Sequence, residues 1–250
     1  MVYVVMQTPQ REDGMIDFHC HLLFGVDDGP EGILESVEMA EGLAKAGFTA
    51  VYCTPHLMKG VYDTDNRTCV SVIETLRQKL TEENIALQLF LGREYYLDEY
   101  IFDHLKNPQP LEGTKYIMLE IPDNLPQEFI KQAFFQIKRA GFIPMIAHPE
   151  RGRNFAFLDQ SQKSENRQQN ELKTPYDIEL LNYLQELGCA FQGNYGSFMG
   201  LYGHQSKKTA ATLKKKGLYT HFGTDLHSRE GIRYLKDLEE CSKPLNIQRL

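Results

Sequence analysis

Histidines and carboxylates recur along this sequence at spacings that suit divalent metal ions. They occur as His19-Cys20-His21, Thr54-Pro55-His56, Gly92-Arg93-Glu94, Glu120, His148-Pro149-Glu150-Arg151 and Asp225-Leu226-His227. Side chains at i and i+2 of a strand share a face, so His19 and His21 can point together with Asp17 behind them. Asp225 and His227 repeat that geometry. Mixed imidazole and carboxylate donors suit Mn2+, Fe or Zn2+ better than Mg2+ or Ca2+, which prefer oxygen alone. Glu94 and Glu120 could bridge ions, and a pair of ions roughly 3.5–4 Å apart stabilises both the entering and the leaving oxygen of a phosphoryl displacement. A single strand-end His or Glu is more often a solvated or capping residue. The joint pattern points to a site for two or three ions and to hydrolysis of a phosphoester by in-line attack of metal-activated water.

Elements that could deliver these residues alternate along the chain. Apolar runs predict strands over 16–21, 49–54, 86–91, 116–121, 143–147, 190–194 and 219–223. Helical patterns fall over 31–46, 67–82, 98–106, 126–140, 177–187, 205–216 and 229–241, with Gly47 and Gly141 in stopping positions. Units of strand then helix in one direction imply a parallel sheet with right-handed crossovers. Six of the seven strands carry a possible ligand at the C-terminal end, which in parallel α/β folds is the face where active sites are built. Convergence of those ends favours an α/β barrel of one domain over an open sheet. Glycine-rich nucleotide loops of the GxGxxG or Walker type are absent from the strand–helix turns. Residues 1–14 read as an extension, 15–250 as the domain, and 159–173, rich in Gln, Asn, Ser and Lys, as an exposed insertion.

Composition narrows the partners. The chain has 250 residues, 42% hydrophobic and 24% charged, with a formal net charge of −7, which disfavours general attraction to nucleic acid. Its five cysteines are scattered with no CxxC pair, which argues against a disulfide framework and a zinc knuckle and favours a reducing cytoplasm. The longest apolar runs are too short for a membrane span, and residues 2–6 are too short for a signal-peptide core. Lys214-Lys215-Lys216 reads as a solvated helix end, and Phe134-Phe135 and Phe155–Phe157 as packing.

Several stretches together resemble the PHP (polymerase and histidinol phosphatase) family, and within it the bacterial tyrosine-protein phosphatases of capsule and exopolysaccharide biosynthesis. They are Met15–His21, Gly25-Val26-Asp27-Asp28-Gly29-Pro30, Thr54-Pro55-His56, Gly92–Tyr96, Met118-Leu119-Glu120, Ala147–Arg151 and Gly223–His227. The resemblance covers almost all of 15–240, and the GVDDGP and HPER stretches are its most specific parts. It implies a distorted (β/α)7 barrel with a trinuclear, usually manganese-supported site at the C-terminal strand ends. Matched position by position, the implied ligands are His19, His21, Asp28, His56, Glu94, Glu120, His148, Asp225 and His227. Arg151 matches a phosphate-binding arginine, and Arg229 lies near a second one. His56 or His227 could protonate the leaving group if not committed to metal. The implied partner is the phosphotyrosine-bearing tail of a bacterial tyrosine autokinase that serves polysaccharide export.

Rival readings differ in chemistry. A histidinol-phosphate or other small-molecule phosphatase of the same family would share the metals and differ at the rim. A cysteine-based phosphatase needs an arginine six residues after its cysteine, but Val26, Lys59, Thr75 and Tyr195 follow Cys20, Cys53, Cys69 and Cys189 at that distance. A scaffold that only binds a kinase would have no physical need for the full donor set and Arg151.

Overall fold

A computed structural model describes residues 14–123, 125–152, 178–236 and 238. The expected extension, apart from Gly14, and the 159–173 insertion lie outside the described residues, as do Phe155–Phe157 and Cys241. Among the described residues nine strands appear. They are β1 (Met15–Cys20), β2 (Phe48–Cys53), β3 (His56–Leu57), β4 (Gln88–Leu91), β5 (Glu94–Tyr96), β6 (Tyr116–Glu120), β7 (Ile143–Ala147), β8 (Ala190–Asn194) and β9 (His221–Gly223). All pair in parallel, in the orders β1-β2-β4 and β3-β5-β6-β7-β8-β9.

These nine are seven staves. Thr54-Pro55 interrupts one stave between β2 and β3, and Gly92-Arg93 interrupts the next between β4 and β5. Proline cannot donate to a ladder, which gives the first break a local cause. The Gly92 N–H donates to Cys53 O and the Glu94 N–H to Pro55 O, so the two staves stay joined across both breaks. The last stave returns to the first: Asp225 N–H donates to His19 O at 2.7 Å and His21 N–H to Leu226 O at 3.0 Å. Beside β4, the segment at Leu111 and Glu112 bonds to Leu91 on one side and to Tyr116 on the other. It links β4 to the start of β6 there.

The helices are α1 (Ile33–Lys45), α2 (Asn66–Glu82), α3 (Ile101–His104), α4 (Gln127–Arg139), α5 (Ile178–Glu186), α6 (Tyr195–Met199), α7 (Gly203–Lys215) and α8 (Ile232–Leu235). In α4 the buried residues are Ile130, Ala133, Phe134 and Ile137, the i, i+3, i+4, i+7 stripe of a helix facing a sheet, while Phe135 is exposed. In α2, Cys69, Ile73, Leu76 and Leu80 do the same, and the Asp65 carboxylate caps the Thr68 N–H at 2.8 Å. Gly47 and Gly141 take φ values of +93° and +88°, the left-handed stop that lets each chain leave its helix for the next strand.

Two expected helices differ from their sequence reading. Only Ile101–His104 of 98–106 is helical, because the Asp98 carboxylate turns back onto the Tyr100 N–H and competes with an earlier start. Within 229–241, Arg229–Gly231 forms a 3-10 turn that leads into α8, and the stretch beyond 238 lies outside the described residues.

Apolar side chains divide between the ring's outer face and its interior. Met39, Leu43, Ile73 and Leu76 pack one group of helices against β1, β2 and β4, and Ile130, Phe134, Leu180 and Leu184 pack another against β6 to β8. Tyr52, Met118, Met145 and Ala190, with Phe18 and Tyr116, form a third cluster. The buried polar residues His19, His21, His148 and Asp225 sit at or just past the C-terminal ends of their strands, and Glu94 opens β5 just beyond the break after β4.

Candidate metal centre

The first pair of histidines owes its direction to a bulge. Asp17 pairs with Val51 and Cys20 with Cys53, so three steps of β1 run against two of β2. The Asp17 carboxylate accepts the His19 N–H, the Thr224 N–H and the Thr224 hydroxyl, and so ties the first stave to the last. Burial pushes the Asp17 carboxyl up to about 6 despite those bonds. Gly223 lies against β1 so closely that a Cβ there would meet His19 N at 2.7 Å and His19 Cβ at 2.5 Å. Only a glycine lets the last stave seat this near the first.

Fully buried donors converge beyond the bulge. His19 Nε2 lies 3.1 Å from His21 Nε2, 3.1 Å from Glu94 Oε2 and 3.4 Å from Asp225 Oδ1. His21 Nε2 is 3.2 Å from Glu94 Oε2 and 3.4 Å from Asp225 Oδ1. A second group joins His56, Glu94 and Glu120, and a third joins His21, Asp28, His56 and His227. In the third, His56 Nε2 and His227 Nε2 stand 3.7 Å and 3.5 Å from Asp28 Oδ1. His148 Nε2 reaches Glu94 Oε1 at 3.0 Å, so Glu94 is common to several donors, as a bridging carboxylate would be.

The ring nitrogens facing away from the centre are tied down. His19 Nδ1 bonds Gln192 Oε1 at 2.8 Å, His21 Nδ1 bonds Asp27 Oδ2 at 2.7 Å, and His227 Nδ1 bonds the Asp225 carbonyl at 2.9 Å. With Nδ1 as donor, each Nε2 presents a lone pair inward once it carries no proton, the arrangement by which outer partners orient metal-binding imidazoles. His148 and Asp225 both sit at positive φ, +27° and +54°, a strained backbone for residues with a side chain.

Electrostatics agree with a cation at the centre. Burial alone would raise the Glu94 and Asp225 carboxyls, yet the surrounding histidines hold both well below the usual range. Burial lowers the His19 imidazole, but Glu94 and Asp225 outweigh it and push it up to about 9. His56 is lowered to about 4 and His227 is also lowered, both chiefly by burial. The Glu120 carboxyl is raised by burial and by Glu94. Asp225 Oδ1 is buried with no hydrogen-bond donor, although it faces two imidazole nitrogens. A buried carboxylate oxygen without a donor, set among inward lone pairs, is satisfied by a divalent cation, so the donor set fits the metals expected from the sequence.

Arg151 stands at the rim. Its guanidinium donates to Asp225 Oδ2 and lies 4.2 Å over the Tyr202 ring. Asn194 Nδ2 donates to the same carboxylate oxygen at 2.9 Å. Arg229 is not brought into this cluster: its side chain is exposed and pairs with Glu38 and Glu230, each at 3.4 Å. The other expected ligands do meet here.

Sequence reasoning missed the residues behind the donors. Asp27 holds both His21 Nδ1 and the His56 N–H, whereas its neighbour Asp28 faces His56 and His227. Gln192 and Asn194 form an i, i+2 polar pair at the end of β8, the same parity signal as His19 and His21, masked by the glycines around them. Glu150 supports the wall, accepting the Asn194 N–H and the Tyr219 hydroxyl, each at 2.8 Å. Tyr62 stacks on His56 with ring centroids 5.5 Å apart. Cys20, Cys53, Cys69 and Cys189 are buried free thiols, and burial pushes Cys189 up to about 12.

Fold and centre together define an α/β-barrel protein with a candidate metal-binding site where the strand ends converge. Residues 15–166 match the family described as capsular polysaccharide synthesis, CpsB/CapC. The chain belongs to this CpsB/CapC family. It is 32% identical over 217 residues to the tyrosine-protein phosphatase YwqE of Bacillus subtilis, covering 86% of this chain and 78% of that one. CapC of Staphylococcus aureus is 27% identical over the same length, covering 86% and 77%. Among solved structures, the work on YwqE from Bacillus subtilis and CpsB from Streptococcus pneumoniae, described as unique metal-dependent tyrosine phosphatases, supplies a match at 29% identity and TM-score 0.72, covering 90% of this chain and 87% of that one. The histidinol phosphate phosphatase of Lactococcus lactis shares the fold alone, at 12% identity and TM-score 0.51 over 91% and 93% of the two chains.

Proposed function

We propose that the protein is a metal-dependent protein-tyrosine phosphatase that dephosphorylates the tail of a bacterial tyrosine autokinase controlling polysaccharide synthesis and export. The observation that carries the reading is the convergence of His19, His21, Glu94 and Asp225 beneath Arg151, in a chain of the CpsB/CapC family. Two or three Mn2+ ions would be held by those four residues with Asp28, His56, Glu120 and His227, and by His148, which meets Glu94; the mixed donors support a transition metal over Mg2+ or Ca2+. Bound there, the ions supply Lewis acidity toward phosphoryl oxygens and lower the pKa of water toward neutrality. Arg151 exchanges its Asp225 partner for two non-bridging phosphate oxygens, which its planar fork matches. The Tyr202 ring keeps that fork in plane at the rim. Burial keeps His56 and His227 neutral near pH 7, which supports a ligand role over that of proton donor.

We further propose that residues 15–250 form the domain, with 1–14 as an extension and 159–173 as an insertion, both read from the sequence. A cytoplasmic site of action accords with four buried free cysteines, and no helix among the described residues is long and apolar enough to cross a membrane.

The test is hydrolysis of a phosphotyrosyl peptide by protein stripped of metal and resupplied with Mn2+, with histidinol phosphate in parallel. Mn2+-restored turnover of the peptide is expected. Turnover of histidinol phosphate alone overturns the substrate, and silence on both overturns the activity.

A further inference from the structure

Beside the metal centre lies a cleft of about 310 Å3 that the chemistry above does not use. Asp225 and His227 form one edge of it. Buried Leu235, half-buried Met199 and Tyr234, and exposed Tyr202 are among the residues that line it. Among the described residues its lining contains no Lys or Arg, so these offer a phosphate no cation. Tyr202 is the shared wall: the Arg151 guanidinium lies 4.2 Å from its ring, and the ring also borders the cleft. A charged head group placed on Arg151 and the centre would therefore lie beside this space, next to Asp225, His227 and Tyr202.

We infer that the cleft is the subsite for the phenol ring of the phosphotyrosyl substrate, between Tyr202 and Tyr234 and against Met199. This rests on the proposed phosphatase activity and adds the leaving group's place to it. An aromatic slot with a charged edge suits a ring that carries one anionic substituent, since aromatic pairs stack while the phosphate stays outside the apolar wall. An aliphatic phosphoester would leave the slot unfilled and forgo that contact.

The ligand for the test is p-cresol, the tyrosyl side chain without phosphate or peptide, added to Zn2+-loaded protein carrying 13C-methyl methionine. The Met199 resonance, assigned by its loss in Met199→Leu, is expected to shift on titration, with inorganic phosphate leaving that shift in place. In parallel, Met199→Trp, which fills the slot, is expected to raise KM for a phosphotyrosyl peptide about tenfold or more, a loss of the size expected for an unburied ring. Its inhibition by inorganic phosphate should stay unchanged, which shows that the variant is folded and its centre intact. An unmoved Met199 signal with full peptide turnover overturns the subsite and leaves the phosphatase reading standing. A shifted signal in a protein that does not hydrolyse the peptide does the reverse. If Met199→Trp leaves KM unchanged, the ring lies elsewhere.

Discussion

The inner and outer halves of the metal centre are built from the same residue types and set in different surroundings. His19, His21 and Glu94 have fully buried side chains and Asp225 is 1% exposed, whereas Asp28, His56 and His227 are 44%, 14% and 30% exposed. The inner four arrive on β1, at the start of β5 and just beyond β9, with outward bonds to Gln192, Asp27 and Asn194. The outer three come largely from loops. Donors held by strands and by a buried second layer have less freedom to lose on binding an ion than donors at a wet rim. The inner half is the enclosed one, and the outer half is the one open to solvent.

That contrast is open to attack, beginning where the effect should be greatest. Asp225→Ala removes the carboxylate shared by His19, His21 and Arg151, and is expected to lower turnover at least about a thousandfold, with loss of an ion measured by mass spectrometry. Equal losses for Asp28→Ala would erase the distinction between the halves. Arg151→Ala is expected to lower kcat/KM roughly a hundredfold to a thousandfold while metal content stays at the wild-type level. Loss of metal in that variant would make Arg151 a support of the inner half and not a phosphate ligand.

Next in size is Asp27→Asn, which weakens the bond that orients His21. It should lower metal affinity about 10–100-fold, read by chelator competition, with near-normal turnover once metal is saturating. The metal-free inner half should also sense pH. His19 rises from its ordinary value of 6.5 to about 9, so its protonated form stabilises the metal-free fold below pH 6.5, and that stability is lost as pH rises through 9. Thermal unfolding of stripped protein should therefore fall in midpoint from pH 6.5 to pH 9. Mn2+ added at pH 8 should release protons, since the ion and the proton compete for the same nitrogen. A flat profile without proton release would mean that the imidazole is neutral without metal. The smallest effect is expected from Arg229→Ala, within about threefold in kcat/KM, because its partners are exposed Glu38 and Glu230. A loss equal to that of Arg151→Ala would instead make it the second phosphate-binding arginine suggested by resemblance.

Much of this was legible without coordinates, for definable reasons. Strand and helix positions follow from apolar periodicity that tertiary packing did not override, so 143–147 and 190–194 coincide with β7 and β8. The interruptions at Thr54-Pro55 and Gly92-Arg93 were less visible, because each stave keeps its direction and its pairing with the other and changes only on its far side. Asp27 and Asp28 are adjacent and chemically equal, and only the turn following β1 decides which one faces a histidine's back and which its front.

The sequence by itself determined the donor types, their order along the chain and their places after apolar runs, since those depend on local periodicity and residue chemistry. Tertiary structure alone decided that residues 19 and 225 become neighbours, that a slip in β1 turns Asp17 toward Thr224, and that one arginine meets the centre while another stays in solvent. The physical reason is that a strand's pattern sets which face a side chain occupies, whereas convergence depends on register, ring closure and the packing that holds His148 and Asp225 in backbone conformations they would not adopt alone.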